Sequence, residues 1–267
     1  MFFAPALLLA LVSASGTPTL LENGYSAMYN LDFRAAHSDF EQWGHTHPGD
    51  PMGPISDAAA HLFSEFARLH ILESQFFTDD ARFERRKHGL RPDPAAKQAF
   101  ERDLNEGQQL ARAVLAHSPD DENALFSSVL GQGLHADYLA LIEGRDFAAL
   151  SEMKQGRVAA EHLIAVHPHC YDANLAVGVE NYMLSLKAAP VRWMLRLGGA
   201  QTDKQSGIAQ LRRTADNGHY LLPYARLLLA IADLRDGNRA GARDLLSWLA
   251  TNFPGNPLYR VELEKLK

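Results

Sequence analysis

Two short histidine-rich segments contain residue types that could bind a metal ion. They are residues 45–47 (His-Thr-His) and 167–170 (His-Pro-His-Cys). Imidazole nitrogens and a thiolate are good zinc ligands, but a zinc site needs three or four of them to converge on one point. His47 and His167 each precede a proline at the end of a predicted helix, where the helix dipole favours a cationic ring. We therefore predict no metal and no cofactor, and the weaker alternative is a metal site formed by His167, His169 and Cys170.

Other motifs that could support catalysis are better explained by helix structure. Residues 131–136 (Gly-Gln-Gly-Leu-His-Ala) match a dinucleotide-binding fingerprint, but that loop works only between a strand and a helix. Here the glycines lie inside a helical pattern, which favours a role in close helix packing. The acidic pairs at residues 79–80 and 120–121 lie where helix caps are expected. The sequence also has no phosphate-binding loop, no His-Glu-x-x-His and no Gly-x-Ser-x-Gly motif. We predict that the protein is not an enzyme.

Composition indicates that helices form the scaffold. The 267 residues include 39 Leu and 39 Ala but 9 Val and 6 Ile, a balance that favours helices over strands. The net charge of −6 argues against a broad nucleic-acid-binding face, and a single Cys excludes an intramolecular disulfide. No apolar run reaches the roughly 18 residues needed to cross a membrane.

The N-terminal segment is similar to a secretory signal. Residues 4–12 are apolar and small residues follow them, but no Lys or Arg precedes Arg34. We predict that residues 1–16 are a signal peptide and that the protein is exported, to the periplasm or outside the cell. The alternative is an apolar N-terminal helix on a cytoplasmic protein, and whether residues 1–16 are cleaved stays open.

A C-terminal segment of 34 residues, from Pro223 to Asn256, has the pattern of two helices joined by a turn. It has small residues where the helices must approach, a turn glycine, large apolar residues and a terminal proline. These are Ala230, Ala242, Gly237, Leu229, Leu246 and Pro254. This segment resembles a tetratricopeptide repeat (TPR).

The N-terminal segment fits the same pattern less completely. Gly24 and Ala36 occupy the close-approach positions and Phe40 an aromatic packing position, but Leu31 replaces the turn glycine. Further helix ends at residues 119, 168 and 218–219 are unevenly spaced, so the middle repeats are predicted to have longer helices or insertions. One long helix is predicted from residue 55 to 77, and a charged loop over residues 83–93.

The resemblance implies an all-α fold, a TPR-like α-solenoid of about five antiparallel helix pairs with a C-terminal capping helix. The predicted repeat domain covers residues 17–267. Its pairs are 17–50, 55–121, 122–170, 171–221 and 222–256, and the cap is 257–267. The last two pairs are loosely similar to proteins of the Iml2 and TPR-39 type.

In such a solenoid the first helices of successive pairs line a concave groove, which is the usual binding surface. The predicted groove mixes Tyr, Met and aliphatic residues with isolated charges, a composition that suits an extended or helical peptide. The alternative is that these side chains pack against neighbouring helices. The predicted groove residues are Asp172, Leu175, Val179, Tyr182, Met183, Tyr224, Leu227, Ile231 and Arg235.

Residues 187–199 interrupt the fourth pair with a tryptophan and three cations but no acid. Lys187, Arg192, Trp193 and Arg196 could contact an anionic membrane surface or an acidic peptide. The simpler interpretation, which we favour, is that Trp193 and the leucines fold back over the solenoid while the cations stay solvated.

The predicted function is that of a non-catalytic scaffold or adaptor that binds a protein or peptide in its concave groove, with no nucleic-acid partner. Two alternatives remain open: a His-rich metal-binding protein or enzyme, and a membrane-peripheral adaptor. The partner, the pathway and the oligomeric state are not determined by the sequence.

Overall fold

A computed structural model describes residues 17–73 and 90–267, and this part of the chain is helical with no β-strand. The prediction of an all-helical protein is thereby confirmed. Residues 1–16, to which the signal peptide was assigned, lie outside the described residues. The helices are α1 (Leu20–Tyr29), α2 (Phe33–Thr46), α3 (Met52–Arg68), α4 (Pro94–Leu115), α5 (Glu122–Asp137), α6 (Asp146–Val166), α7 (Asn174–Ser185), α8 (Ala189–Leu197), α9 (Lys204–Asn217), α10 (Leu222–Arg235), α11 (Arg239–Asn252) and α12 (Pro257–Glu264).

Several helices begin at a side chain that satisfies a free backbone N–H group. Thr19 and Glu22 form a reciprocal capping box at the start of α1. Asp121 caps α5 by accepting a hydrogen bond of 2.9 Å from the Ala124 amide, as the sequence predicted for this acidic pair. The other predicted pair, residues 79–80, lies outside the described residues.

The helices pack as adjacent pairs. The pairs are α1 with α2, α3 with α4, α5 with α6, α7 with α9, and α10 with α11, while α12 packs on α11. The first helices of the pairs also contact one another, since α1 touches α3, α3 touches α5, and α5 touches α7. We call α1, α3, α5, α7 and α10 the inner helices.

Small residues and one unusual turn allow the paired helices to approach. A Cβ atom on Gly207 of α9 would lie 2.6 Å from the Tyr182 backbone nitrogen of α7, so no larger residue fits there without movement. In the last pair, Gly237 adopts a φ of 76° between its two helices. Leu31 adopts a φ of 61° at the matching point of the first pair, although leucine rarely occupies this left-handed region. The turn geometry is thus the same in both pairs despite the different residue.

The inner helices of the first two pairs contact the beginning of the last pair. The Tyr29 hydroxyl of α1 donates a hydrogen bond of 2.9 Å to the Tyr220 carbonyl oxygen, just before α10. The rings of Tyr25 and Tyr220 stack with centroids 4.7 Å apart, and the Phe63 and Tyr224 rings meet edge to face at 5.3 Å. The inner faces therefore surround a partly open cavity.

Helix α3 is shorter than the helix predicted from residue 55 to 77. It ends at Arg68, after which His70 adopts a φ of 57° and the Ile71 amide donates to the Phe66 carbonyl oxygen. This reversal places Ile71 in the core, where it is fully buried. Residues 74–77 and most of the predicted charged loop over 83–93 lie outside the described residues.

The interpretation that Trp193 and the leucines fold back over the protein is wrong for Trp193 and Leu197, whereas Leu195 is half-buried. Helix α8 contains no buried residue, and the exposed fractions of Trp193 and Leu197 are 67% and 70%. Proline at its start and glycine at its end limit it to nine residues. It is inserted in the chain between α7 and α9, which pack directly on each other. None of the described helices combines the length and apolar character needed to cross a bilayer.

Candidate functional site

The five inner helices and α6 surround an apolar cavity. Its volume is about 80 Å³, measured as the space open to the centres of water molecules. Because roughly 10–15 Å³ of such space holds one water molecule, the cavity can hold several waters or one slender ligand. Its walls are mostly aromatic and aliphatic side chains, among them Met28, Phe63, Val129, Leu134, Leu175 and Val179.

Asp137, at the end of α5, is a carboxylate in this apolar wall. Within the described part of the chain it has one hydrogen bond, accepted at 3.5 Å from the Tyr224 hydroxyl of α10. Burial raises the Asp137 pKa to about 7, and the hydrogen bond from Tyr224 opposes that rise. A carboxylate that faces a cavity with so few partners can accept a hydrogen bond or bind a cation there.

Asp172, the second carboxylate of the cavity wall, is used by the fold. Its two oxygens accept hydrogen bonds of 2.9–3.1 Å from the backbone amides of His219, Tyr220 and Leu221. Burial raises the Asp172 pKa, whereas these amide hydrogen bonds lower it. The side chain ties the start of α7 to the start of α10 and thereby helps to close the cavity.

The structure brings four of the nine predicted groove residues together in the cavity wall: Asp172, Leu175, Val179 and Tyr224. Leu227 lies in a second, smaller cavity between α1, α3, α10 and α12. The other four are dispersed, since Tyr182 and Ile231 are buried in the core, Arg235 is half-buried and Met183 is exposed.

The glycines of the fingerprint-like segment have two different roles. A Cβ atom on Gly131 would lie 3.0 Å from Ile55 Cδ1, so this glycine serves close helix packing as predicted. Gly133 lines the cavity, and a Cβ atom there would meet no atom within 4 Å. The sequence analysis missed Gly133 and Asp137 as site residues. The sequence signal that was available is the spacing of Gly133 and Asp137, which are four residues apart and therefore lie on the same side of a mostly apolar helix.

The predicted alternative metal ligands do not converge. His167 Nε2 lies 2.6 Å from the Asp120 carbonyl oxygen, and His167 Nδ1 lies 3.5 Å from a Glu122 carboxylate oxygen. Burial raises the Cys170 pKa to about 12, which disfavours the thiolate that binds metals. Among the described residues, three converging ligand atoms occur elsewhere, on His37, Asp57 and His61.

The exposed helix α8 forms a second surface feature. Trp193, Met194 and Leu197 expose 67%, 59% and 70% of their surface. Two of the cations next to them are held in place, because Arg192 donates to the Lys187 carbonyl oxygen at 2.7 Å and Arg196 donates to Thr202 Oγ1 at 2.6 Å. An apolar patch is thus bordered by fixed positive charge.

Comparison with known proteins adds no assignment. The chain matches no protein-family model, and no curated protein matches it. Its function is therefore inferred from the geometry of the cavity and its surroundings.

Proposed function

We propose that this chain is a non-catalytic, TPR-like binding protein whose inner cavity takes a slender apolar chain that ends in an amine or hydroxyl. The observation that carries the proposal is Asp137, a carboxylate with one hydrogen bond at 3.5 Å in the wall of an apolar cavity. The cavity supplies the apolar environment and Asp137 accepts the donor group.

The energetic reason for a donor group is that burying a carboxylate without partners is costly. A ligand that brings an ammonium or hydroxyl group to Asp137 replaces the lost hydration with a charge-assisted hydrogen bond. A ligand that ends in a carboxylate meets repulsion at the same point. The site should therefore discriminate by the end group of the ligand more than by the length of its apolar chain.

The helix pairs support the TPR-like part of the proposal. When the first pair is aligned on the last, Gly24 falls on Ala230, and Leu31 falls on Gly237. Leu31 and Gly237 both have the left-handed turn conformation. TPR proteins commonly bind their partners on the surface formed by their inner helices. The apolar chain can accordingly belong to a free amphiphile or to a side chain of a partner protein.

An extended peptide lying along an open groove fits the geometry less well. The contacts of Tyr25 with Tyr220 and of Tyr29 with Phe253, whose ring centroids lie 5.4 Å apart, join the first inner helix to the C-terminal pair. A protein partner would have to insert one side chain into the cavity or separate these contacts.

Calorimetric titration of the full chain with 1-hexylamine, 1-hexanol and hexanoate at about pH 8 tests the proposal, because Asp137 is ionised there. We expect hexylamine and hexanol to bind and hexanoate not to bind. Asp137→Asn should weaken hexylamine binding by about tenfold or more, corresponding to one charge-assisted hydrogen bond, and should affect hexanol less.

A filled cavity provides the matching control. Gly133→Leu places a side chain in the open space and should abolish binding of both ligands. Gly44→Leu makes the same change on α2, where a Cβ atom also meets nothing within 4 Å, and should leave binding unchanged. Binding that survives in Gly133→Leu, or equal binding of all three probes, would contradict the proposal.

A second candidate function is contact between α8 and an anionic membrane surface, which the exposure of Trp193 and Leu197 favours. A short helix with Trp on its apolar side and Lys or Arg beside it suits the membrane interface. Flotation with vesicles containing phosphatidylserine should recover the protein, whereas Trp193→Ser together with Leu197→Ser should prevent recovery. Recovery with neutral vesicles alone, or no recovery at all, would exclude this function.

Export remains a prediction from residues 1–16. Sequencing the N-terminus of the protein purified from its native host tests it, since cleavage near residue 16 is expected for an exported protein. An intact Met1 on the cell-associated protein would favour the cytoplasmic alternative.

A further inference from the structure

Four ionisable side chains meet on the side of α3 that faces α2 and α4. Asp57 and His61 are one turn apart on α3, His37 comes from α2 and Asp103 from α4. His37 Nδ1 makes a hydrogen bond with Asp57 Oδ1, and the rings of His37 and His61 have centroids 4.2 Å apart. One potential ligand atom from each of His37, Asp57 and His61 lies within 4.8 Å of the other two.

This separation is close to what a bound metal ion requires. Zinc binds nitrogen and carboxylate oxygen at about 2.0–2.2 Å, so neighbouring ligand atoms in a tetrahedral site are about 3.4 Å apart. To reach this geometry, the most distant of these atoms must approach by up to about 1.4 Å, and the hydrogen-bonded His37 and Asp57 atoms must move apart. Rotation of the His37 side chain, which is 24% exposed, can supply this movement.

Asp103 stands behind His61 and fixes its ring. An oxygen of Asp103 lies 3.3 Å from His61 Nε2, and the Arg102 guanidinium holds the same carboxylate with two hydrogen bonds of 2.7 and 2.9 Å. Carboxylates in this position orient metal-binding histidines and increase their basicity. Asp57 and Asp103 are both buried, their side chains being 7% exposed, so their charges are poorly compensated by water.

The cluster is separate from the apolar cavity. Ala59 and Phe63 of α3 line the cavity, and Asp57 and His61 are each two residues away, about 200° around the helix. It is also separate from residues 167–170. Occupation of the cluster and of the cavity can therefore be tested independently.

We propose that His37, Asp57 and His61 bind a divalent transition-metal ion of the zinc type, with Asp103 as the positioning residue for His61. Two imidazoles and one carboxylate are three protein ligands, and a water molecule completes a tetrahedral site. Without metal, the hydrogen bond between His37 and Asp57 holds the two ligands together. The metal joins α2 and α3, which belong to successive helix pairs.

Titration of the full, untagged chain with zinc chloride, followed by calorimetry and thermal unfolding, tests the site. We expect about one tightly bound Zn²⁺ per chain and a rise in the unfolding temperature, because the metal binds the folded chain. Asp103→Asn should weaken zinc binding by about tenfold, since the loss of an orienting partner has that size of effect. His61→Gln should weaken it further.

Two control variants separate this site from other histidines. His162→Gln removes a half-exposed histidine on α6, and His169→Gln removes one from the residue 167–170 segment. Both should bind zinc as the unsubstituted chain does. If His61→Gln fails to fold by circular dichroism, His37→Gln replaces it. The proposal is overturned if the unsubstituted chain binds no zinc, if the His61→Gln or His37→Gln variant binds zinc normally, or if His169→Gln loses zinc binding. If the unsubstituted chain binds no zinc, the four side chains are hydrogen-bonded pairs that stabilise helix packing.

Discussion

The half-buried, desolvated carboxylate of Asp137 should make the protein less stable as pH rises, and Asp137→Asn should remove this effect. The pKa of Asp137 is about 7 in the folded chain, against 3.8 for an unperturbed aspartate. The folded chain therefore holds this proton more tightly than the unfolded chain does. The stability associated with the proton is fully present below pH 3.8, decreases as pH rises to about 7 and is absent above it.

The size of the effect follows from the pKa difference. A difference of about three units at 1.36 kcal/mol per unit corresponds to about 4 kcal/mol, which is an upper value if water enters the cavity beside the carboxylate. Asn keeps the shape of the side chain and can still accept the Tyr224 hydrogen bond, but it carries no charge. We expect Asp137→Asn to stabilise the protein by about 2–4 kcal/mol at pH 8 and by much less near pH 5.

Urea unfolding of both proteins at about pH 5 and pH 8 measures the two differences in unfolding free energy. Comparison with the unsubstituted chain at each pH removes the contribution of other groups that titrate in this range. Asp244→Asn, on the exposed side of α11, controls for the change in net charge. A stabilisation by Asp137→Asn that is equal at both pH values, or a destabilisation at pH 8, would refute the proposed desolvation of this carboxylate.

Four further substitutions test how the cavity and the turns are built. Asp172→Ala leaves three backbone amides of the turn before α10 without their acceptor and should lower the unfolding free energy by about 3–5 kcal/mol, measured by urea unfolding. Gly133→Ala should raise the unfolding temperature, by the equivalent of about 1 kcal/mol, because the new methyl group enters open space. Gly131→Ala should lower the unfolding temperature, because its methyl group meets Ile55. Equal shifts for the two glycines would contradict their assigned roles. Gly237→Ala should cost about 1 kcal/mol because its φ of 76° is unfavourable for alanine, and a neutral result would show that the turn relaxes.

Much of the local structure could be predicted from the sequence because its causes are local. Apolar residues at three- and four-residue steps mark the helices, and Pro, Gly and Asp mark their ends. Leu31 shows the strength of this reasoning. The positions of Gly24 and Ala36 in the repeat pattern place Leu31 in the turn. Leu31 adopts the left-handed conformation there, although leucine rarely occupies that region.

The cavity could not be predicted, because it depends on which distant helix faces meet. Tyr29 and Tyr220 are 191 positions apart, and their contact is decided by the cumulative angle between successive helix pairs. In the sequence, Asp137 has the pattern of an ordinary polar residue near a helix end. Its place in the cavity wall depends on α10, which brings Tyr224 next to it. Three of the predicted groove residues, Leu175, Val179 and Tyr224, lie on inner helices and line the cavity. Tyr182 and Ile231 lie on the same helices but are buried in the core.

The His37, Asp57, His61 and Asp103 cluster was missed for the same physical reason. Sequence patterns point to histidines that are adjacent along the chain, such as those of residues 167–170, which are not among the converging ligands of the described residues. The cluster instead combines one-turn spacing on α3 with single residues from α2 and α4. Such a site becomes visible when the three helices are packed together.

A crystal structure of the full chain grown with 1-hexylamine tests the central claim most directly. The account predicts the alkyl chain inside the cavity between Phe63 and Val179, with its nitrogen within hydrogen-bond distance of an Asp137 carboxylate oxygen. An empty or water-filled cavity at a saturating concentration of hexylamine, or a bound amine that does not contact Asp137, would contradict it.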